Sequence, residues 1–188
     1  MSTTREIIAK IQTGDLDEDF LDIYVDSAKV EYQKERYIGA LQTYEELFGK
    51  EEVSIFSAPG RSEIGGNHTD HQQGEVLVAS VNVDVIAITH KTEENQVTIV
   101  SKGYPKVTIS LDNLEKKKEE EGTTLSLIKG ILQGMKESGY QIGGFRAYLT
   151  SEVLIGAGLS SSAAFETVVG TIISKMYNEG NVSPVEIA

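Results

Sequence analysis

The 188-residue sequence has no cysteine and no tryptophan, only three prolines and three histidines, and no apolar run of membrane-spanning length. Without cysteine there is no disulfide, no thiolate nucleophile and no zinc–thiolate centre, which fits a reducing compartment. Scarce proline, beside 18 glycines and a charged fraction of 24%, excludes a low-complexity linker or a collagen-like repeat. The opening residues Met-Ser-Thr-Thr-Arg-Glu carry no signal-peptide apolar core, so a soluble cytoplasmic protein is expected. Basic residues are outnumbered, with 17 Lys and Arg against 29 Asp and Glu, for a net charge of −12. That field repels phosphate backbones and anionic lipid. No nucleic-acid or membrane partner is expected, and any bound anion must be held by local geometry.

What is present reads as α/β (α+β). Residues 1–50 read as a helical N-terminal extension: Ile7, Ile8 and Ile11, then Leu16, Phe20, Leu21, Tyr24 and Val25, then Tyr32, Tyr37, Leu41, Tyr44 and Phe48 recur at helical spacing. From Val53 the texture changes to β-branched alternation. It predicts strands at Val53–Ser57, Val76–Thr89, Val97–Val100, Val107–Leu111 and Phe145–Ser151, with a hairpin at the turn residues around Asn95. Helices are predicted over Thr123–Ser138, stopped by Gly139, and over Ser160–Tyr177. Ser183-Pro184-Val185-Glu186 combines an N-cap serine, proline at the first helical position and a capping-box glutamate. Only two residues follow this helix signal, so residues 51–188 are expected to be one α/β domain cut short of a larger chain.

Two segments carry chemistry. Gly156-Ala157-Gly158-Leu159-Ser160-Ser161-Ser162 lies between a predicted strand and a predicted helix. Glycines let the backbone approach an anion, and the unpaired N–H groups of a helix N-terminus favour phosphate. The serine hydroxyls add donors, and one at the helix start suits Mg²⁺ held between phosphates. A tight turn whose serines merely cap the helix remains the alternative on spacing alone. The segment is neither a P-loop, since no Lys follows the glycines, nor a dinucleotide fingerprint.

The other segment, Ala58 to Gly74, is expected to be a polar loop holding two of the three histidines and Arg61. Asn67, His68, Thr69 and Asp70 alternate donors and acceptors, a set suited to sugar hydroxyls. Arg61 suits neutralisation of a transferring phosphoryl group. A metal set of His68, Asp70 and His71 is disfavoured by its cramped spacing, and His90, at a strand end, reads as a surface or satisfied residue rather than a ligand.

Both segments resemble motifs of the GHMP kinases, the small-molecule kinases related to galactokinase, homoserine kinase, mevalonate kinase and phosphomevalonate kinase. The second matches the superfamily pattern P-x-G-x-G-L-S-S-S-A-A, with Leu154 in place of proline. The first is similar to the galactokinase signature G-R-x-N-x-I-G-E-H-x-D-Y-x-x-G, keeping Gly60, Arg61, Gly66, His68, Thr69, Asp70 and Gly74. Asn67 stands where that signature has Glu, and Glu63, Gly65 and His71 also depart from it.

The resemblance implies a GHMP-kinase N-terminal domain, similar to domain 2 of ribosomal protein S5, from about Val53 onward. It implies ATP-dependent phosphorylation of the anomeric hydroxyl of galactose. Arg61 would stabilise the transferring group and Asn67, His68, Thr69 and Asp70 would bind sugar. Gly156 to Ser162 would hold ATP, with Ser162 contacting Mg²⁺. The family's catalytic Asp and third glycine-rich motif lie beyond the helix that follows Ser162. The remainder of a kinase chain is therefore an implied partner, and this chain alone is expected to be inactive. A kinase for another sugar such as N-acetylgalactosamine, or a non-catalytic galactose and ATP regulator, are the alternatives.

Overall fold

Thr3 and Glu6 cap each other at the start of helix α1 (Thr4–Thr13): the Glu6 N–H donates to the Thr3 hydroxyl at 3.3 Å, and the Thr3 N–H donates to the Glu6 carboxylate at 2.9 Å. The computed structural model describes residues 2–66, 69, 73–154, 156 and 158–187. It continues with α2 (Asp17–Tyr24), a 3-10 turn at Ser27–Lys29 and α3 (Val30–Phe48). Along α3 the buried residues Gln33, Tyr37, Ala40, Leu41 and Tyr44 make one inward stripe, so the helical periodicity of this region is realised.

Among the described residues, six strands form one sheet in the order β1-β2-β3-β6-β4-β5. They are β1 (Ser2–Thr3), β2 (Glu52–Gly65), β3 (Leu77–Lys91), β4 (Gln96–Ser101), β5 (Val107–Ser110) and β6 (Phe145–Ser151). Neighbours are antiparallel except β4 and β6, which are parallel. The remaining helices are α4 (Thr124–Glu137), α5 (Ser161–Tyr177) and α6 (Pro184–Ile187). Thr123 caps α4 by accepting the Ser126 N–H, and the Ser183–Glu186 box reciprocally caps α6.

Strand alternation divides the apolar residues into two cores. Val85, Ala87, Ala147 and Leu149 pack with Ile128 and Leu132 of α4 and with Val168, Ile172 and Ile173 of α5. Ile86, Ile88 and Tyr148 point the other way and pack with Ile11, Phe20, Tyr24, Leu41 and Tyr44 of α1–α3. A sheet buried on both faces explains the unbroken buried run Asp84–Thr89 in β3. Full burial of Ile86 or Ile88 contributes about 1.5–3 kcal/mol each. No described helix is long and apolar enough to cross a membrane.

Two expectations change. The Asn95 turn does not make a hairpin, because β6 lies between β3 and β4 and pairs with both. Phe145, Ala147 and Leu149 complete the apolar face there, a non-local fit that turn chemistry does not encode. Nor is Ala58 to Gly65 loop: β2 runs through it, pairing Arg61, Ser62 and Glu63 with Ser80, Ala79 and Val78. The register shifts between Pro59 and Arg61, where proline has no N–H to give the ladder.

Candidate active site

The long β2–β3 arm carries Arg61 to the glycine-serine segment. The Arg61 main-chain N–H donates to the Leu159 carbonyl at 3.1 Å, and Arg61 Nε donates to Ser160 Oγ at 3.0 Å. Gly60 makes this approach possible. A Cβ there would lie 3.0 Å from the Leu159 oxygen and 3.1 Å from Val153 Cγ1, closer than ordinary packing. The two motifs singled out in the sequence therefore meet at one place.

Ser160 is left-handed, with φ of 55°, directly before α5, and its side chain makes no cap bond to that helix. Of the two sequence readings, serine capping is thus not what the Ser160 hydroxyl does; it accepts from Arg61 instead. A non-glycine residue in this conformation is stored strain of a kind found at functional sites. Gly156 and Gly158 also have positive φ, at 77° and 72°. Gly156, Gly158, Leu159, Ser160, Ser161 and Ser162 line an open cleft of about 490 Å³ at the N-terminus of the 17-residue helix α5. The helix dipole and first-turn N–H groups favour an anion there without a basic patch.

Glu166 also lines the cleft and was not singled out from the sequence. It follows Ser162 by one helical turn, a spacing that could have revealed it. Hydroxyl and carboxylate oxygens are the hard donors Mg²⁺ takes alongside phosphate oxygens, so Ser162 and Glu166 fit that ion. Among the described residues no group of three His, Asp or Glu is assembled for a metal.

A second cavity, about 430 Å³, adjoins the cleft through Leu154, Ser161 and Ser162. Val85, Leu149, Val153 and Phe165 form its apolar wall, with Ser101, Thr124 and Ser151 as polar contributors. A flat heterocycle with a few hydrogen-bonding edges matches that lining.

In the segment after β2, the Thr69 hydroxyl donates to the Gly66 carbonyl at 2.8 Å, and the Gly74 N–H donates to the Thr69 carbonyl at 2.8 Å. Asn67, His68, Asp70 and His71, like Ala157 in the glycine-serine segment, lie outside the described residues. His90 Nδ1 is 2.7 Å from the Glu52 carbonyl oxygen at the strand end.

Sequence reasoning also missed a charged group buried behind the site. Asp84 accepts from Arg36 at 2.6 Å, from the Ser57 hydroxyl at 2.5 Å and from the Tyr24 hydroxyl at 2.9 Å. Glu152 accepts from the Tyr32 hydroxyl at 2.5 Å and the Gln33 amide at 3.0 Å. Burial alone works to raise the Glu152 pKa, but Tyr32, Gln33 and the Arg36 guanidinium outweigh it and hold the carboxyl below its usual range. Burial and the Asp84 carboxylate push Tyr37 up to about 12. The sequence signal was one Asp inside the apolar run Val83-Asp84-Val85, since a buried strand admits a charge only when it is paired.

The fold and the glycine-serine segment define a class: residues 126–188 match the GHMP kinases N terminal domain. Residues 42–91 match the galactokinase galactose-binding signature, and the chain is similar to part of the galactokinases. It is 33% identical to the galactokinase of Lactococcus lactis over 142 residues, which is 73% of this chain and 35% of that one. It is 34% identical to the galactokinase of Pyrococcus furiosus over 131 residues, covering 70% of this chain and 36% of that one. The crystal structure of L. lactis galactokinase complexed with galactose superposes with a TM-score of 0.70 at 32% identity, covering 78% of this chain and 38% of that chain. The mevalonate kinase of Methanococcus jannaschii shares the fold, with a TM-score of 0.59 at 16% identity, over 72% of this chain and 44% of its own. The chain thus spans about a third of the length of the curated relatives it matches.

Proposed function

We propose that this chain forms the phosphate-holding and sugar-contacting part of a kinase that transfers the γ-phosphoryl group of ATP to the anomeric hydroxyl of galactose. The observation that carries the reading is the Arg61–Ser160 hydrogen bond, which places the strand bearing the galactose-binding signature against the helix-terminal glycine-serine cleft. In this reading Gly156 to Ser162 cradle the phosphates and the adjoining cavity takes the base. Ser162 and Glu166 would hold Mg²⁺, which supplies charge neutralisation between phosphate oxygens. Arg61 faces the charge that develops as the sugar oxygen bonds to phosphorus and the bond to the bridging oxygen breaks. Asn67, His68, Thr69 and Asp70 are assigned to the sugar hydroxyls, and no residue of this chain is assigned as the base that takes the hydroxyl proton. The proposed setting is the cytoplasm, with residues 1–50 as a helical extension and 51–188 as the kinase N-terminal domain.

Asn67 favours a second reading of the sugar. Where the galactokinase signature has an acceptor-only Glu, an amide both donates and accepts, and an N-acetylated sugar presents both partners. Calorimetry with MgATP, galactose and N-acetylgalactosamine tests both. Binding of MgATP with preference for galactose is expected, preference for the acetylated sugar selects the second reading, and absence of MgATP binding by the folded chain overturns both. Turnover is measured on a protein of the relatives' full length.

A further inference from the structure

Arg36 of α3 stands behind the glycine-serine cleft, on the opposite face of the sheet. Its Nη1 donates to Asp84 Oδ1 at 2.6 Å and lies 3.4 Å from Glu152 Oε2, while its Nη2 donates to the main-chain carbonyls of Asp84 at 3.1 Å and Thr150 at 3.3 Å. The Asp84 carbonyl in turn accepts the Glu152 N–H at 2.9 Å. These acceptors sit on β3 and at the end of β6, immediately before the chain enters the glycine-serine segment. Neighbouring residues Leu149, Ser151 and Val153 line the cavity beside Ser161 and Ser162. The Ser151 hydroxyl accepts the Val153 N–H at 3.0 Å, and Val153 is one of three residues a Cβ on Gly60 would meet.

One guanidinium fork therefore grips the strand end at three residues from the side away from the cleft. Arg36 and Asp84 side chains are 8% and 4% exposed, so the grip is not loosened by solvent. The same helix adds Gln33 and Tyr32 to Glu152.

We propose that Arg36 is a positioning residue for the glycine-serine segment: through Asp84, Thr150 and Glu152 it sets where β6 ends and hence how Gly158, Leu159 and Ser160 lead into α5. The consequence for nucleotide affinity rests on the kinase reading above; the positioning itself does not. A lysine keeps the charge but offers a single point, which cannot span three acceptors arranged for a planar fork.

The experiment compares the chain with its Arg36→Lys, Glu152→Gln and Tyr44→Phe variants, measuring MgATP affinity by calorimetry and amide hydrogen exchange along the chain. Tyr44 lies on the same buried face of α3 but bonds to Glu51, away from the strand end. Arg36→Lys is expected to weaken MgATP binding about tenfold and to accelerate exchange at residues 151–162 while leaving α4 unchanged. Glu152→Gln, which keeps Arg36 in place, is expected to do the same to a smaller degree and carries the test if Arg36→Lys does not fold. Unchanged exchange at 151–162 in both variants, or equal acceleration there in Tyr44→Phe, overturns the proposal. If the parent chain binds no MgATP, the nucleotide reading falls, and the exchange comparison alone decides for or against Arg36.

Discussion

Arg61 and Ser160, 99 residues apart in the chain, share a 3.0 Å hydrogen bond between Nε and Oγ. Ser160 is left-handed where it lines the cleft, and its hydroxyl makes no cap bond to α5. Arg61→Ala removes the bond to Ser160 and the guanidinium charge but keeps the main-chain N–H to Leu159. The chain should stay folded, and its MgATP affinity should fall by about tenfold, as expected for loss of one charge-assisted hydrogen bond. Isothermal titration checks this, and an unchanged affinity would separate Arg61 from the anion cleft.

Gly60 and Gly130 should respond in opposite directions to alanine. At Gly60 the new Cβ presses on the Leu159 oxygen at 3.0 Å and on two valine methyls within 3.2 Å, so Gly60→Ala is expected to cost about 1–3 kcal/mol. Gly130 sits exposed inside α4, where an added Cβ meets nothing within 4 Å. There alanine should stabilise by about 1 kcal/mol through helix propensity alone. Urea unfolding of the two variants reads both signs, and a neutral Gly60→Ala would mean that the contact between strand and cleft is loose.

The helices were legible because their signals are local. The Ser183–Glu186 capping box, the α3 stripe and the stop at Gly139 each depend on residues within a few positions of one another. Strand partners are not local, which is why a turn at Asn95 did not disclose that β6 would be inserted between β3 and β4. Composition concealed the strand at Pro59–Gly65, because that arm is largely uncovered and carries polar residues that resemble a loop. The two chemical segments were each readable, Arg61 by its charge and Ser160 by its place after glycines. Their contact needed the fold. Asp84 was missed although it interrupts an apolar strand, because the partners of its carboxylate lie 27, 48 and 60 residues earlier, at Ser57, Arg36 and Tyr24.

Asp84 should be the most costly charged residue to delete. It is 3% exposed, and its carboxylate joins Arg36, Ser57 and Tyr24. Asp84→Ala leaves the buried Arg36 without its nearest counter-charge, for an expected loss of about 3–5 kcal/mol. Asp84→Asn retains one acceptor oxygen and should lose less. Thermal unfolding orders the pair, and the reverse order would show that the charge of Asp84 is not what the network requires.

Glu152 gives the network a pH dependence of definite sign. Its carboxyl is held below the ordinary value of 4.5: burial works to raise it, but Tyr32, Gln33 and Arg36 prevail. A carboxyl with a lowered folded-state pKa binds its proton more readily in the unfolded chain. Its stabilising contribution is therefore complete above the unfolded pKa and is lost as pH falls below about 4.5 through the folded value. Glu152→Gln cannot take up that proton, so it should be less stable than the parent at neutral pH, and the difference should shrink on acidification below pH 4.5. Other carboxylates titrate in the same range, but they titrate equally in both proteins and cancel in the difference. Denaturant midpoints measured from pH 3 to pH 7 give the comparison, and a parent-minus-variant difference that is flat across this range would show that the folded and unfolded chains hold the Glu152 proton alike.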